Sequence, residues 1–88
     1  MQPALTETSA LRWIATLFNE PSHRLTPDTS RAEIADWDSL GMLALISALD
    51  ADYGVVLTDE EVLQLRGVAD ILAILRRHGI LAPCAPGA

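Results

Sequence analysis

Apolar residues recur three or four positions apart near the N-terminus, as expected of one face of a helix. They are Leu11, Ile14, Leu17 and Phe18. This spacing predicts a first helix from about Ala4 to Phe18. Pro21 ends the pattern, and a long loop rich in turn-forming residues follows, which usually has a function in a small domain. Within it, Ser30 and Glu33 have the spacing of a capping box that starts a single helical turn.

A second helix is predicted to begin within WDSLGMLALISALDADYG, residues 37–54. Asp38 is suited to the N-cap, with Trp37 and Met42 placed to pack against each other as a hydrophobic staple. The apolar spacing then continues through four positions, namely Leu43, Ile46, Leu49 and Tyr53. Gly54 follows and ends the helix, because glycine tolerates positive φ.

Two further helices are predicted in the C-terminal half of the chain. Thr58 and Glu61 have the spacing of a capping box, which opens a short third helix through about Leu65. A fourth helix begins near Gly67 and ends before Gly79. The predicted fold is therefore all-α, a four-helix bundle with three longer helices, one short third helix and a long loop between helices one and two.

The chain of 88 residues fits one domain, which we expect over residues 1–80, followed by a flexible C-terminal tail over 81–88. Cys84, in the tail, is the only cysteine, so no internal disulfide can form. The N-terminus lacks the pattern of a signal peptide, and the longest internal charge-free run, Ser39–Leu49, is too short to cross a bilayer. We therefore expect a cytoplasmic monomer without stable membrane insertion.

The net charge of −6 is unevenly distributed along the chain. The segment between Ala32 and Leu65 holds no basic residue and eight acids, which are Glu33, Asp36, Asp38, Asp50, Asp52, Asp59, Glu60 and Glu61. An acidic middle disfavours nucleic acids and anionic membranes as partners and favours basic protein surfaces. A solvated acidic face that keeps a small protein soluble is the simpler alternative.

The residues around Ser39 allow two interpretations without covalent chemistry. In the simplest, Asp38 and Ser39 only start a helix, because their oxygens accept hydrogen bonds from unpaired first-turn amides. In the second, residues 50–61 form a calcium loop like an EF-hand, with acids at loop positions 1, 3 and 12. The calcium site is disfavoured because Gly54 offers no side-chain ligand at position 5, and Val55 stands where the sharp turn needs glycine.

A third interpretation makes Ser39 a site of covalent attachment. A first-turn serine has its hydroxyl outside the bundle, and a phosphodiester built on it lies at the positive end of the helix dipole. The two histidines, His23 and His78, have no spacing that places a base beside this hydroxyl, so hydrolase chemistry is not indicated. Cys84 also lacks a packed base. Ser39 is therefore expected to be modified by another enzyme.

The segment WDSLGMLALISALDADYGVVLTDEEVLQLRGVADILAIL resembles the acyl carrier protein family. The similarity includes the D-S-L triplet at the start of helix two and the apolar spacing of that helix. It continues through Tyr53 and Gly54, an acidic turn into a short helix, and Val68 with Asp70 opening helix four. The resemblance covers about residues 34–78, and helix one with its loop fits in length and order.

The resemblance implies that a phosphopantetheinyl transferase attaches 4′-phosphopantetheine to Ser39. The thiol of this arm then carries an acyl or aminoacyl group as a thioester. Asp38 and Leu40 match the flanking positions that partners contact, and the long loop packs over the bundle and places Trp37 beside the attachment site. Further partners are expected to be acyl-loading and acyl-processing enzymes, such as a ligase, synthase or transferase, and the protein itself is not an enzyme.

Partner contacts are expected at eight residues, which are Trp37, Gly41, Leu43, Ala44, Ser47, Asp50, Glu60 and Glu61. Family members that serve primary fatty-acid synthesis tend to carry acids along helix two, at positions that here hold Gly41, Ala44, Ser47 and Ala51. We therefore expect weaker electrostatic steering and a more apolar contact strip. This departure favours a specialised pathway making a polyketide, a specialised lipid or a surface polysaccharide. The alternative is a carrier-like helical interaction domain that is never pantetheinylated.

Some of these side chains have a structural alternative. Trp37 and Trp13 are expected to be core or half-buried packing residues rather than ligand contacts. Four apolar residues either line a cleft that shelters the cargo or belong to the core, namely Leu43, Ile46, Leu65 and Val68. The sequence does not separate these two roles.

Overall fold

The helices of the protein follow the predicted order. A computed structural model describes residues 5–81, with every side chain except that of Ser22. The α-helices are α1 (Glu7–Leu17), α2 (Ser39–Tyr53), α3 (Asp59–Leu63) and α4 (Val68–Arg77). Two 3-10 helices, Ser22–Arg24 and Arg31–Glu33, lie between α1 and α2, and residues 5–81 contain no β-strand. The all-α prediction, with a short third helix and a long first loop, is confirmed.

Side-chain caps set the starts of the first three α-helices. α1 begins at Glu7 rather than near Ala4, because the Thr6 hydroxyl accepts a hydrogen bond from the amide of Ser9 at 3.1 Å. Asp38 caps α2 and Thr58 caps α3, both as predicted. Apolar spacing does not locate this start, because the cap is a polar contact made by Thr6.

Glycines end the second and fourth helices. Gly54 follows α2 with a φ of 67°, and Gly79 follows the end of α4 with a φ of 74°. Both values lie in the left-handed region that glycine enters without steric cost. The predicted ends of these two helices are therefore confirmed, whereas α3 stops at Leu63, two residues before the predicted Leu65.

The core face of α2 differs from the predicted spacing at its first two positions. Its buried residues are Met42, Leu45 and Leu49, which follow each other at helical spacing. Leu43, placed by the sequence analysis in the apolar series, is instead 60% exposed. Leu65 and Val68 are buried, which places them in the core, whereas Ile46, Leu57 and Val62 pack at its edge.

The long loop is packed against the helices along much of its length. Leu25, Ile34 and Trp37 are buried in the core. The backbone also bonds to the junction between α3 and α4, because the amide of Arg31 donates to the carbonyl of Arg66 at 2.8 Å. The loop therefore holds the residues before α2 in a fixed position, as the family resemblance implied.

The two ends of the described chain lie side by side. The amide of Leu5 donates to the carbonyl of Ile80 at 2.8 Å, and Leu81 is buried. The packed region thus extends one residue beyond the predicted domain limit of 80. The remaining residues of the predicted tail, including Cys84, lie outside the described residues. Within residues 5–81, none of the helices has the length and apolar character needed to cross a bilayer.

Candidate functional site

Ser39 is the first residue of α2 and is exposed. The carboxylate of the preceding Asp38 accepts a hydrogen bond from the amide of Gly41 at 2.9 Å, and its carbonyl accepts from the amide of Met42 at 2.8 Å. Among the described residues, no acceptor bonds the amides of Ser39 and Leu40. The hydroxyl therefore stands in solvent at the positive end of α2, beside two unpaired backbone donors.

A close backbone contact fixes the start of α2. A Cβ atom at Gly41 would overlap the carbonyl oxygen of Asp36 and would lie 3.5 Å from the ring of Phe18. Only glycine allows the loop before α2 to approach the helix this closely. Gly41, expected at a partner contact, thus also has a structural role at the site.

The residue two positions before Ser39 is a packed tryptophan. The indole of Trp37 is 3% exposed and stacks on Phe18, with ring centroids 5.0 Å apart. The backbone carbonyl of Trp37 accepts a hydrogen bond from Nε of Arg31 at 3.0 Å. The core encloses this side chain, as the packing alternative expected, and the partner contact at Trp37 stays a prediction. Trp37 supports the segment that presents Ser39.

The two histidines lie away from the start of α2 along the chain. His23 is in the first 3-10 helix, and His78 directly follows α4, where its Nε2 is 3.9 Å from Glu61. Neither histidine is hydrogen-bonded to Ser39 among the described residues. The exposed hydroxyl therefore has no histidine bonded to it as in a catalytic triad, which suits a group that another enzyme modifies.

Comparison with known proteins identifies the family of this chain. Residues 11–75 match the family model described as phosphopantetheine attachment site. The chain is 36% identical over 59 residues to an acyl carrier protein of Thermosynechococcus vestitus, covering 67% of this chain and 73% of that protein. It is 32% identical over 71 residues to an acyl carrier protein of Acidothermus cellulolyticus, covering 76% and 84%. The chain belongs to the acyl carrier protein family.

This membership determines the cofactor and the general role of the protein. Acyl carrier proteins carry 4′-phosphopantetheine and are acted on by other enzymes rather than being enzymes themselves. The chain is also 36% identical over 58 residues to the meromycolate extension acyl carrier protein of Mycobacterium bovis, covering 66% of this chain and 50% of that protein. It thus spans about half the length of that relative.

Most of the predicted partner residues of this carrier are accessible. Leu40 is 76% exposed and Leu43 is 60% exposed, next to the exposed Ala44 and Ser47 on the same helix. Asp50 and Glu60 are also exposed, whereas Gly41 is half-buried. We call Leu40, Leu43, Ala44 and Ser47 the α2 strip. The exposed leucines Leu40 and Leu43 make one end of this strip apolar.

Glu61 takes part in contacts within the protein. Its carboxylate accepts from the amide of Thr58 at 3.0 Å and pairs with Arg77 at 3.2 Å, and its side chain is 14% exposed. The hydrogen bond from the amide of Thr58, assisted by the charges of Arg77 and His78, lowers the pKa of Glu61 below the ordinary value of 4.5 for a glutamate. These bonds anchor α3 to the end of α4, so Glu61 is less available to a partner than Glu60.

The proposed calcium ligands serve other structural roles. Asp50 and Asp52 lie within α2, and the carboxylate of Asp52 accepts from the indole of Trp13 at 2.8 Å. The Trp13 ring also meets Tyr53 edge to face at 5.1 Å, and burial followed by the charge of Asp52 raises the pKa of that tyrosine. Residues 50–61 therefore form the end of α2, a turn and α3, and the carboxylate of Asp52 is already bonded to Trp13.

An open cleft that the sequence analysis missed lies between the long loop and the end of α3. It has a volume of about 600 Å³, and its walls include Arg31, Arg66, Trp37 and Leu65. A signal was present in the sequence, because Arg31 and Arg66 are the basic residues that border the acidic segment on its two sides. Sequence reasoning could not bring them together, since their proximity depends on how the loop folds back.

Proposed function

We propose that Ser39 is the residue to which 4′-phosphopantetheine is attached. The observation that supports this most strongly is the position of its exposed hydroxyl at the first residue of α2, inside the D-S-L triplet that resembles the family motif. When bound, the group supplies a terminal thiol on which an acyl or aminoacyl cargo is carried as a thioester.

The residues around Ser39 fit a phosphodiester linkage. The unpaired amides of Ser39 and Leu40 and the positive end of the α2 dipole favour a negative charge at this point. Asp38 uses its carboxylate to cap α2 and so fixes the direction of the first turn. Leu40 extends into solvent beside the hydroxyl, where a phosphopantetheinyl transferase can contact it.

Acyl-loading and acyl-processing enzymes are the proposed further partners. The α2 strip, Asp50 and Glu60 provide a surface that is apolar near Ser39 and acidic at its edge, and a partner with an apolar centre and a basic rim fits such a surface. The cargo is proposed to belong to a specialised pathway for a polyketide, lipid or surface polysaccharide. The relatives named as meromycolate extension carriers support the lipid branch.

The attachment is tested by weighing the intact protein after incubation with coenzyme A and a broad-specificity phosphopantetheinyl transferase. The wild type is expected to gain the mass of one phosphopantetheine, and Ser39→Ala is expected to gain none. Ser47→Ala is the matched control for the attachment point, since Ser47 is another exposed serine on α2, and at the end point of the reaction it should show the full mass gain whatever its rate. No gain in the wild type, or an equal gain in Ser39→Ala, would overturn the proposal in favour of an interaction domain that is never pantetheinylated.

A further inference from the structure

The cleft between the long loop and the end of α3 is positively charged, whereas the molecule as a whole is negatively charged. Arg31 and Arg66 line it, and none of its described lining residues is acidic. The chain as a whole has a net charge of −6, and its middle segment holds eight acids. Two arginines facing one cleft are therefore a local positive site on an acidic protein, and such a site attracts an anion.

The two guanidinium groups retain free hydrogen-bonding capacity. Arg31 uses its Nε to donate to the carbonyl of Trp37 at 3.0 Å, and this bond holds the guanidinium in place. Among the described residues, its two Nη groups have no acceptor, and no carboxylate lies within 4.0 Å of the side chain of Arg31 or Arg66. A carboxylate is the group whose two oxygens match such paired donors.

Apolar side chains and the polar Ser30 form the rest of the cleft. Ile34, Trp37, Leu63 and Leu65 line it together with the arginines. The volume of about 600 Å³ is within the range of about 300–1,000 Å³ that small-molecule sites have. A wall of this composition suits a molecule with an apolar body and an acidic end.

The cleft lies close to the proposed attachment site along the chain. Trp37 lines it and precedes Ser39 by two residues, so their Cα atoms are at most about 7.6 Å apart. A phosphopantetheine arm contains a phosphodiester, two amide units and a thiol, so its extended length exceeds this separation. A cargo on the arm can therefore be folded back onto this face of the protein.

We infer that the cleft binds the distal carboxylate of an acyl cargo, with Arg31 and Arg66 as its anchors. This inference rests on the proposed attachment at Ser39. It assigns the carrier a class of cargo, namely acyl chains that end in a free carboxylate. The apolar walls contact the methylene chain, and the guanidinium groups pair with the carboxylate at its end.

The test compares two cargoes of equal chain length on the same protein. The transferase loads isotopically labelled protein from suberyl-coenzyme A, which ends in a carboxylate, or from octanoyl-coenzyme A, which ends in a methyl group. Loading is first verified by intact mass, so a failure of attachment is distinguished from a failure of the cleft. The readout is the chemical shift of the Nε–H groups of Arg31 and Arg66 and of the Trp37 indole, with the Trp13 indole as an internal reference.

The suberyl cargo is expected to shift the Arg31, Arg66 and Trp37 signals, whereas the octanoyl cargo leaves the arginine signals unchanged. Arg66→Gln should abolish the suberyl-specific shift at Trp37, and Arg31→Gln should do the same if the variant remains folded. Arg12→Gln, on the exposed side of α1, is the control and should keep the full shift. If both cargoes shift these signals equally, the arm alone occupies the cleft. If no signal shifts in fully loaded protein, the cleft stays empty. Either result would overturn the inference.

Discussion

At Gly41, the absence of a side chain allows the loop before α2 to pack closely against the helix. The carbonyl of Asp36 occupies the space that a Cβ atom would need, and the ring of Phe18 closes the other side. The backbone can shift away only by disturbing the stacked pair of Phe18 and Trp37. The position of Ser39 therefore depends on a glycine two residues later.

We predict that Gly41→Ala destabilises the protein by about 1–3 kcal/mol, because overpacking outweighs the better helix propensity of alanine. The free energy of unfolding from urea titrations measures this change. Ser47→Ala is the control, since it alters an exposed position of the same helix and should change stability by less than about 0.5 kcal/mol. Unchanged stability of Gly41→Ala would show that the loop can retreat from α2 without cost.

Asp38 combines a structural role with a proposed recognition role, and two substitutions separate them. Asp38→Ala removes the cap on α2 and should cost about 1 kcal/mol of stability, whereas Asp38→Asn keeps a capping oxygen and should cost much less. Both variants are expected to slow pantetheinylation, because both remove the carboxylate beside Ser39. If Asp38→Asn reacts at the wild-type rate, Asp38 is only a cap.

At the scale of elements, the sequence predicted helix ends better than helix faces. The ends of α2 depend on Asp38 and Gly54, whose roles follow from local chemistry. The buried face is displaced by one residue at its first two positions but not at Leu49, because α2 has apolar residues on all sides and its spacing fits either Met42 or Leu43. Tertiary packing decides between the two, and it buries Met42 while leaving Leu43 in solvent.

At the candidate site too, features set by neighbouring residues were easier to predict than features set by residues distant in sequence. The placement of Ser39 at the start of α2 followed from the residues beside it. The burial of Trp37 was expected only as an alternative to a partner contact, and the internal bonds of Glu61 were not foreseen, because both depend on residues far away in sequence, namely Phe18 and Arg77. Exposure of an individual side chain is therefore the least predictable part of the partner surface.

The attachment of α3 to α4 is expected to depend on pH through Glu61. Because its pKa is lowered in the folded protein, Glu61 stabilises the fold above its unfolded pKa of about 4.5, and this contribution is lost as pH falls through the lower folded value. Glu61→Gln should therefore reduce the free energy of unfolding at neutral pH but have little effect well below pH 4.5. Denaturant titrations of both proteins across this range measure the difference. A difference that does not shrink in acid would show that the charge of Glu61 is not what stabilises α3.

At the scale of the whole molecule, the acidic charge and the apolar α2 strip act on partners differently. Charge speeds the encounter with a basic partner, and this effect is screened by salt, whereas burial of Leu40 and Leu43 is not. No acid lies on the strip itself, where Ala44 and Ser47 follow the two leucines. Electrostatic steering should therefore raise the association rate with a partner by a factor at the lower end of its usual range.

We predict that kcat/KM for pantetheinylation falls by about tenfold or less between about 0.1 M and 1 M salt, over which the Debye length shortens from about 10 Å to about 3 Å. Asp50→Asn together with Glu60→Gln should flatten this dependence further. A fall in kcat/KM of hundredfold or more over this salt range would show that charge, rather than the apolar strip, dominates recognition of this carrier.

The central claim, that Ser39 carries the arm in the living cell, can be tested on protein purified from its own source. Cleavage after arginine releases residues 32–66 as one peptide, in which Ser39 and Ser47 are the only serines. Fragmentation of this peptide by tandem mass spectrometry locates any attached group. We predict one phosphopantetheine on Ser39 and none on Ser47, and a peptide that is always unmodified, or modified only at Ser47, would contradict this assignment.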